Sequence, residues 1–446
     1  MTSALAAAAI VVAALVQSPQ TGPPPAPAAP PANPAPAARG VTIDGHAAMQ
    51  FDAVPKQDAV ELRPEFVLDV TDRPADWLRY RLELLIQALV ADRSGSATDA
   101  LARVQDGWIE VGGERGDLRA GYGRLVWGRL DEIQPSDVIN PLDTTRFLLD
   151  GRSAARLPVT FLRGRLMPSE RLTLEGVVVP VFRRGTFDAL DEPTSPFNLL
   201  RDVVLPATLS VATPDVERIT PPVTWANLSG GGRVAATVGR MDVAGAVYRG
   251  FDGFGIVTFE PAFSAPVLPA AGTAVPAIVG RLVERFPRFT MISGDFEAVA
   301  GEWAIRGELA AFVEKQFAGV TRSGPVDGRA LDGGVGFDRR SGDYRVFGSV
   351  LVRREWSAED PGVARTDVSL VGSIDRTFAR DRYLARAFAV VNPGDGSGFV
   401  RGLLIWTARD NVALEASAGA FLGTGDNTLS RFHGRDFLFA RLRYSF

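Results

Sequence analysis

The chain has 446 residues, 22% of them charged, a mean hydropathy of +0.07, a formal net charge of −4 and no cysteine. A bundle of membrane-spanning helices is excluded: each span needs about 18 or more apolar residues in a row, and the one long uncharged stretch past the N-terminus, residues 261–280, is broken by Pro266, Pro269 and Pro276. Nucleic acid is excluded as a partner because the pI is near 5.5 and no basic run stands out, and the missing cysteines remove disulfide frameworks, lipid-anchoring thiols and thiolate metal sites.

Residues 4–16 form an apolar run too short to span comfortably, followed by Pro-, Ala- and Gln-containing sequence with no basic stop-transfer segment. Residues 1–18 therefore read as a secretory signal peptide, with one departure: no Lys or Arg precedes the apolar core. Residues 19–40 are dominated by proline and alanine, which bury too little surface to fold, and read as an extended linker. Residues 41–446 are expected to form one all-β domain.

From Val41 onward the chain repeats about ten to fourteen residues of period-two alternation and then a turn. Val60, Leu62, Phe66, Leu68 and Val70 oppose Glu61, Arg63, Glu65 and Asp69. Leu78, Tyr80, Leu82, Leu84 and Ile86 oppose Arg79, Arg81, Glu83 and Gln87. One face suits lipid and the other water, as in a strand that crosses a bilayer within a barrel.

Residues 123–143 read GRLVWGRLDEIQPSDVINPLD. Trp127 is expected at the membrane interface, where ring and N–H face different media, and Asn140-Pro141 is expected to open a turn. The segment resembles a recurring piece of outer-membrane barrels related in pattern to alginate-export and other porin-like proteins, in which GR-x-x-WG is followed by NP-x-D. Gly123, Arg124, Trp127, Gly128, Asn140, Pro141 and Asp143 carry the match, with echoes at 230–251 and 286–312. The resemblance implies an outer-membrane barrel carrying solutes or hydrophobic molecules and supplies no substrate. Two readings of the following loop stay open. It folds into the barrel mouth, with Asp131, Glu132, Asp137 and Asp143 facing Arg124, Arg129 or Arg146 across a constriction, or it is a solvated loop whose acids satisfy backbone amides.

Further along, Asp188 to Glu192 lacks the calcium-loop pattern and reads as a solvated loop, and Gly230 to Gly232 reads as a bend at a wall contact. Trp303, Ile305, Leu309, Ala311 and Val313 oppose Glu302, Arg306, Glu308 and Glu314; Tyr344, Val346, Val350 and Val352 oppose Asp343, Arg345, Ser349 and Arg353; Val400, Leu404 and Trp406 oppose Arg401 and Thr407. In the last strand Leu438, Ala440, Leu442, Tyr444 and Phe446 share one face, and Phe439, Arg441, Arg443 and Ser445 the other. A terminal aromatic strand resembles the assembly signal of bacterial outer-membrane proteins. It implies outer-membrane lipids and the barrel-assembly machinery as partners; the competing reading is an edge strand ending a soluble sandwich.

The segments count to about 18 strands, with 16 as the alternative, in an antiparallel up-and-down transmembrane β-barrel. Strands of about 11 residues, tilted near 40°, would cover an apolar band of about 25 Å. Connections alternate as such a barrel requires. Short joints fall at 72–76, 114–116, 167–169, 239–240, 300–301, 340–341, 379–380 and 410–411, and longer pieces at 92–103, 128–156, 185–224, 252–284, 316–328, 354–365 and 422–434.

Inward charges at membrane depth require a hydrated lumen, so Arg79, Arg81, Glu83, Arg306, Glu308, Arg345, Arg441 and Arg443 are expected to line it. They set selectivity, or form a structural ladder of ion pairs. No enzyme and no cofactor are expected: Gly-x-Ser-x-Gly and clustered metal-ligand spacing are absent, and only His46 and His433 offer imidazoles. If the first and last strands pair, those two would lie in neighbouring parts of the wall. The expected function is a porin-like channel in the outer membrane of a diderm bacterium, passing small or amphiphilic solutes. The alternative is a plugged barrel handing lipid-like or polymeric cargo to other envelope proteins, with 252–284 as an apolar docking loop. A homo-oligomer fits either.

Overall fold

The computed structural model describes residues 40–202, 209–211, 216–267, 275–424 and 429–446; the expected signal peptide and all but the last residue of the linker lie outside the described residues. Strands follow in the order β1 Val41–Val54, β2 Ala59–Ala75, β3 Leu78–Arg93, β4 Ser96–Gly113, β5 Gly116–Gly123, β6 Val159–Ser169, β7 Leu172–Val179, β8 Leu209–Val211, β9 Glu217–Ile219, β10 Ser229–Val238 and β11 Met241–Phe251. They continue as β12 Ile256–Val267, β13 Val275–Arg285, β14 Arg288–Ala300, β15 Trp303–Ala318, β16 Pro325–Ser341, β17 Tyr344–Trp356, β18 Arg365–Phe378, β19 Tyr383–Asn392, β20 Ser397–Arg409, β21 Val412–Leu422 and β22 Phe437–Ser445.

An 18-stranded antiparallel sheet runs β1 to β7, β10, β11 and β14 to β22, and closes where β22 pairs with β1. The seam is in register from Ala53 opposite Leu438 to His46 opposite Ser445. Gly45 and Phe446 exchange two backbone hydrogen bonds of 3.1 and 3.0 Å, and the Phe446 ring stacks on Phe66 at 6.0 Å. Closure leaves no unpaired edge, which hydrocarbon would penalise. The remaining strands form a small sheet on the long-loop side, with β12 and β13 as a hairpin and β8 and β9 parallel to β13.

Alternation sets the two surfaces. Leu62, Leu82, Leu309, Val350, Leu404 and Leu442 stand outside at 40–52% exposure, while Arg63, Glu308 and Arg401 are buried within. Aromatic rings ring the short-turn rim: Phe378, Tyr383 and Trp406 stack at 5.1 and 6.3 Å, and Trp303 meets Phe337 at 5.6 Å. Such rings sit at the boundary between lipid and water. The connections at the end that holds both Val41 and Phe446 are all short, at 76–77, 114–115, 170–171, 239–240, 301–302, 342–343, 379–382 and 410–411, whereas the other end carries the long loops together with short connections at 55–58, 94–95 and 393–396. A closed cylinder that is apolar outside, charged inside and girdled by aromatics is a bacterial outer-membrane barrel, and the outer membrane is where this protein resides.

Two expectations need correction. No long loop occupies 92–103: β3 runs to Arg93, β4 starts at Ser96, and Ser94 (φ 59°) and Gly95 (φ 134°) make a tight turn. These strands rise past the apolar band, where both faces meet water and residues such as Thr98 and Asp99 have no reason to alternate. Glu314 does not face inward either. A register shift between Phe312 and Lys315 reverses the side-chain parity, so Glu314 turns out to pair with Arg249 while Lys315 turns in to Asp252 at 2.9 Å.

Candidate functional site

The lumen is occupied from the long-loop end by residues 124–158, which connect β5 to β6. Asn140 ties the two limbs of this loop, accepting from Leu125 N at 2.8 Å and donating to Leu157 O at 2.8 Å. Asp143 caps α1 (Thr144–Leu149) by accepting from Thr145 N and Arg146 N. Asp137 binds Arg152 and Arg156 of the turn containing α2 (Arg152–Ala155) at 2.7 and 2.8 Å. The Asn-Pro-x-Asp segment thus builds the loop's base. Trp127 is corrected from the membrane interface to the interior: it is 2% exposed, donates to Glu175 Oε1 at 2.6 Å and meets Tyr248 edge-on at 5.9 Å.

The loop's tip is held against β14, β15 and β16. One wall carboxylate, Glu308, accepts four hydrogen bonds: from Arg129 N (3.0 Å) and Leu130 N (3.3 Å) on Oε2, and from Ser136 N (2.6 Å) and Ser136 Oγ (2.5 Å) on Oε1. Gly128 makes this approach possible. Its φ is +102°, and a Cβ there would sit 2.8 Å from the Glu308 carboxylate. Leu130, 1% exposed, drops into a notch left by inward-facing Gly334 and Gly336, where added Cβ atoms would lie 3.2 and 3.3 Å from its methyl groups. Arg129 binds Asp295 at 2.6 Å and Glu297 at 3.2 Å, and Asp131 binds Arg306. Leu130, Ile133 and Phe147 to Leu149 join wall residues Phe347, Leu351, Phe388 and Phe399 in one buried apolar cluster.

A second loop is anchored on β2 and β3. Asp188 is 2% exposed and takes Arg63 at 2.6 Å and Arg93 at 2.8 Å, with Glu61 completing the network at 2.7 and 2.6 Å. The segment 188–192 is therefore anchored in the barrel at its first residue, contrary to a fully solvated loop. Removing water from two arginines and two carboxylates is tolerable only because each charge is paired.

The other inward residues divide by surroundings. Arg79, Arg81 and Glu83 lie on β3 near the short turns. Arg81 binds Asp69 (2.6 Å) and Glu83 (2.8 Å), Arg124 reaches Glu83 (3.0 Å) and Asp106 (2.6 Å), and Arg79 stands 3.9 Å from Glu110. Arg345 pairs with Asp338 and lies 3.9 Å from Asp131. Arg441 is bound to Asp150 of the loop, and Arg146 to Asp150 and to Glu65 (2.8 Å). Arg443 is half-buried near the seam. Glu132, half-buried in the tip, has no hydrogen-bond donor among the described residues; desolvation pushes its carboxyl up to about 7 against the pull of Arg386. His46 lies opposite Ser445 at the short-turn end and bonds Glu65 at 3.1 Å, whereas His433 precedes β22 at the other end. Pairing of first and last strands thus separates the two imidazoles.

Between the loop and β10 to β18 lies a cavity of about 180 Å³. Ile139, Phe289, Phe312 and Leu351 line its apolar side, and Asp137, Asp252, Lys315, Asp332 and Arg353 its polar side. Of these, Lys315, Asp252 and Asp332 carried no functional expectation. The cross-strand pair Asp332 opposite Arg353 was available as a signal from alternation; Lys315 was hidden by the bulge.

No family model and no curated protein sequence matches the chain. Among solved structures it is similar to OccAB3 of Acinetobacter baumannii (10% identity, TM-score 0.49, covering 91% of this chain and 99% of that one). It is also similar to OccAB1 of the same organism (7%, 0.49, 91% and 95%) and to OccK5 (OpdH) of Pseudomonas aeruginosa (10%, 0.48, 91% and 96%).

Proposed function

We propose that the protein is a porin-like channel that passes small or amphiphilic solutes passively through a lumen narrowed by residues 124–158. The observation that carries this reading is the solvent exposure of inward charges on the wall the loop tip leaves open: the side chains of Arg79, Arg81 and Arg165 point into the barrel and are still 41, 32 and 34% exposed. These residues lie toward the short turns, and inward charges keep such exposure only where water enters the barrel from that mouth. Solutes then move between this wet vestibule and the cavity on the far side of the tip, and both signs of charge along the way, Arg81 with Asp69 or Arg345 with Asp338, favour neither anions nor cations strongly. Arg79, Arg81, Glu83, Arg345 and Arg443 are the proposed lining, Arg129, Asp131 and Glu132 the narrowing, and Arg306 and Arg441 bind the loop through Asp131 and Asp150. Glu308, Asp137 and Asp143 act by holding the loop.

The plugged-barrel reading keeps one observation in its favour, the buried apolar cluster that joins loop and wall. Liposome swelling separates the two. A channel admits sugars at rates that fall with their size, whereas a plugged barrel gives no swelling with any of them. Kinship with alginate-export porins, assembly through the Phe446 strand and a homo-oligomer belong to the same proposal; pull-down of the assembly machinery, lost on deleting Phe446, tests the second.

A further inference from the structure

The outward face of the barrel does not end alike all the way round. On β21, β22 and β2 the outward residues stay apolar to the long-loop end, where Leu422, Leu438 and Val60 are exposed. On β11, β14, β16 and β17 the apolar band ends in arginine: Arg249 follows Val247, Arg288 precedes Thr290 and Ile292, Arg329 precedes Leu331, and Arg354 follows Val352. Arg249 takes Glu314, and Arg288 donates to the carbonyl oxygens of Ala226 and Leu228. Arg354 donates to Thr366 Oγ1 at 2.8 Å and has no carboxylate among the described residues, and Arg329, also exposed, has neither a hydrogen-bond nor an ion-pair partner among them. The acid two positions from Arg329 on its own face, Asp327, accepts from Gln316 Nε2 at 2.9 Å.

Arg329 stands opposite Trp356 and Arg354 opposite Leu331, so the two arginines are diagonal neighbours on adjacent strands, about 7 Å apart and within reach of a common partner. Two like charges at that separation repel each other unless an anion is shared between them. Toward the membrane, the same face continues as Leu331, Val350 and Val352, all exposed and apolar. An anion seated on the pair therefore has hydrocarbon directly beneath it. In barrels of this kind the short turns face the periplasm and the other end faces outward, so the pair lies where the head groups of the outer leaflet begin. That leaflet carries lipid A, in which phosphates sit on a sugar core above acyl chains, and a guanidinium fork is matched to phosphate oxygens.

We infer that Arg329 and Arg354 form a binding site for a phosphate of lipid A, with Thr366 positioning Arg354 and the acyl chains lying along Leu331, Val350 and Val352. Trp356, on the same face, suits the boundary between sugar and lipid. The site goes beyond the channel reading and does not rest on it; it needs only the outer-membrane location and the orientation of the barrel.

Native mass spectrometry of the detergent-solubilised full chain tests it, with titrations of diphosphoryl lipid A, dephosphorylated lipid A, phosphatidylglycerol and inorganic phosphate. Diphosphoryl lipid A is expected to bind at least about tenfold tighter than any of the other three. An arginine at a lipid surface is worth about a fivefold step, so Arg329→Ser or Arg354→Ser should weaken lipid A about fivefold and the double variant about thirtyfold. Arg354→Lys keeps the charge, loses the fork and should fall between the wild type and Arg354→Ser. Arg376→Ser removes an outward arginine at the short-turn rim, 5.1 Å from the Tyr344 ring, and should leave lipid A binding unchanged. A heat-modifiable gel shift checks that each barrel is folded.

Absence of lipid A binding overturns the inference, as does an affinity unchanged in the double variant or equal binding of the dephosphorylated form. Equal binding of phosphatidylglycerol overturns it in favour of a general anionic-lipid surface, and equal binding of inorganic phosphate in favour of a soluble-anion site. Lipid A binding without sugar swelling sinks the channel reading and spares the site; swelling without lipid A binding does the reverse.

Discussion

Two walls of the same barrel use the same alternating charges in opposite ways. In the short-turn half of β2 to β6, arginines and carboxylates pair across strands, as Arg81 with Asp69 or Arg119 with Glu110, and stay partly wet. On β14 and β15 the inward charges that face the tip are spent on the loop: Arg306 is 10% exposed and takes Asp131, and Glu308 is 4% exposed and takes four donors from residues 129–136. Inward direction follows from period two, but whether an inward charge meets water or protein depends on what the long loop brings to it. The first wall is a lining and the second a mooring.

The largest expected break in this contrast is Glu308→Ala. Each of the four donors it leaves behind costs about 1–3 kcal/mol if it stays buried without an acceptor, so the tip is expected to leave the wall. Single-channel conductance should rise several-fold and protease should cut between 128 and 136, while Glu308→Gln, which keeps an acceptor oxygen, falls in between. Unchanged conductance and an uncut tip would show that the apolar cluster alone moors the loop. On the open wall, Arg79→Glu with Arg81→Glu should leave the fold and the conductance near wild type and move the reversal potential in a salt gradient toward cation selectivity. A reversal potential that does not move would take both residues off the lining.

A smaller effect should follow pH. With its carboxyl raised to about 7, Glu132 is neutral below about pH 6 and charged above about pH 8, so the tip gains one negative charge across that window. Cation permeability relative to anion permeability should therefore increase as pH rises through 7, and Glu132→Gln should flatten the profile. A slope that survives Glu132→Gln would belong to another group.

The wall was legible because every spanning strand must hide one face in lipid, which imprints a two-residue period on local sequence. Where that constraint lapses, so does legibility: residues 96–103 belong to β4 yet carry no clean alternation, and the bulge before Lys315 inverts a parity that sequence extends unchanged. The site was legible only in outline. That residues 128–156 fold inward could be suspected from their length, but the mooring links Ser136 to a carboxylate 172 positions away, and the notch for Leu130 is two glycines on β16. Trp127 shows the same limit, since a tryptophan suits a membrane rim and a buried hydrogen-bonded niche equally well, and only Glu175 decides between them.

The central claim is that residues 124–158 narrow a lumen that is otherwise open. Its most direct test compares single-channel conductance in planar bilayers for the wild-type chain and for a variant in which residues 129–136 are replaced by a short glycine linker. The account predicts small, resolvable steps from the wild type and steps several-fold larger from the variant. Equal conductance in the two, or silence in both, would contradict it.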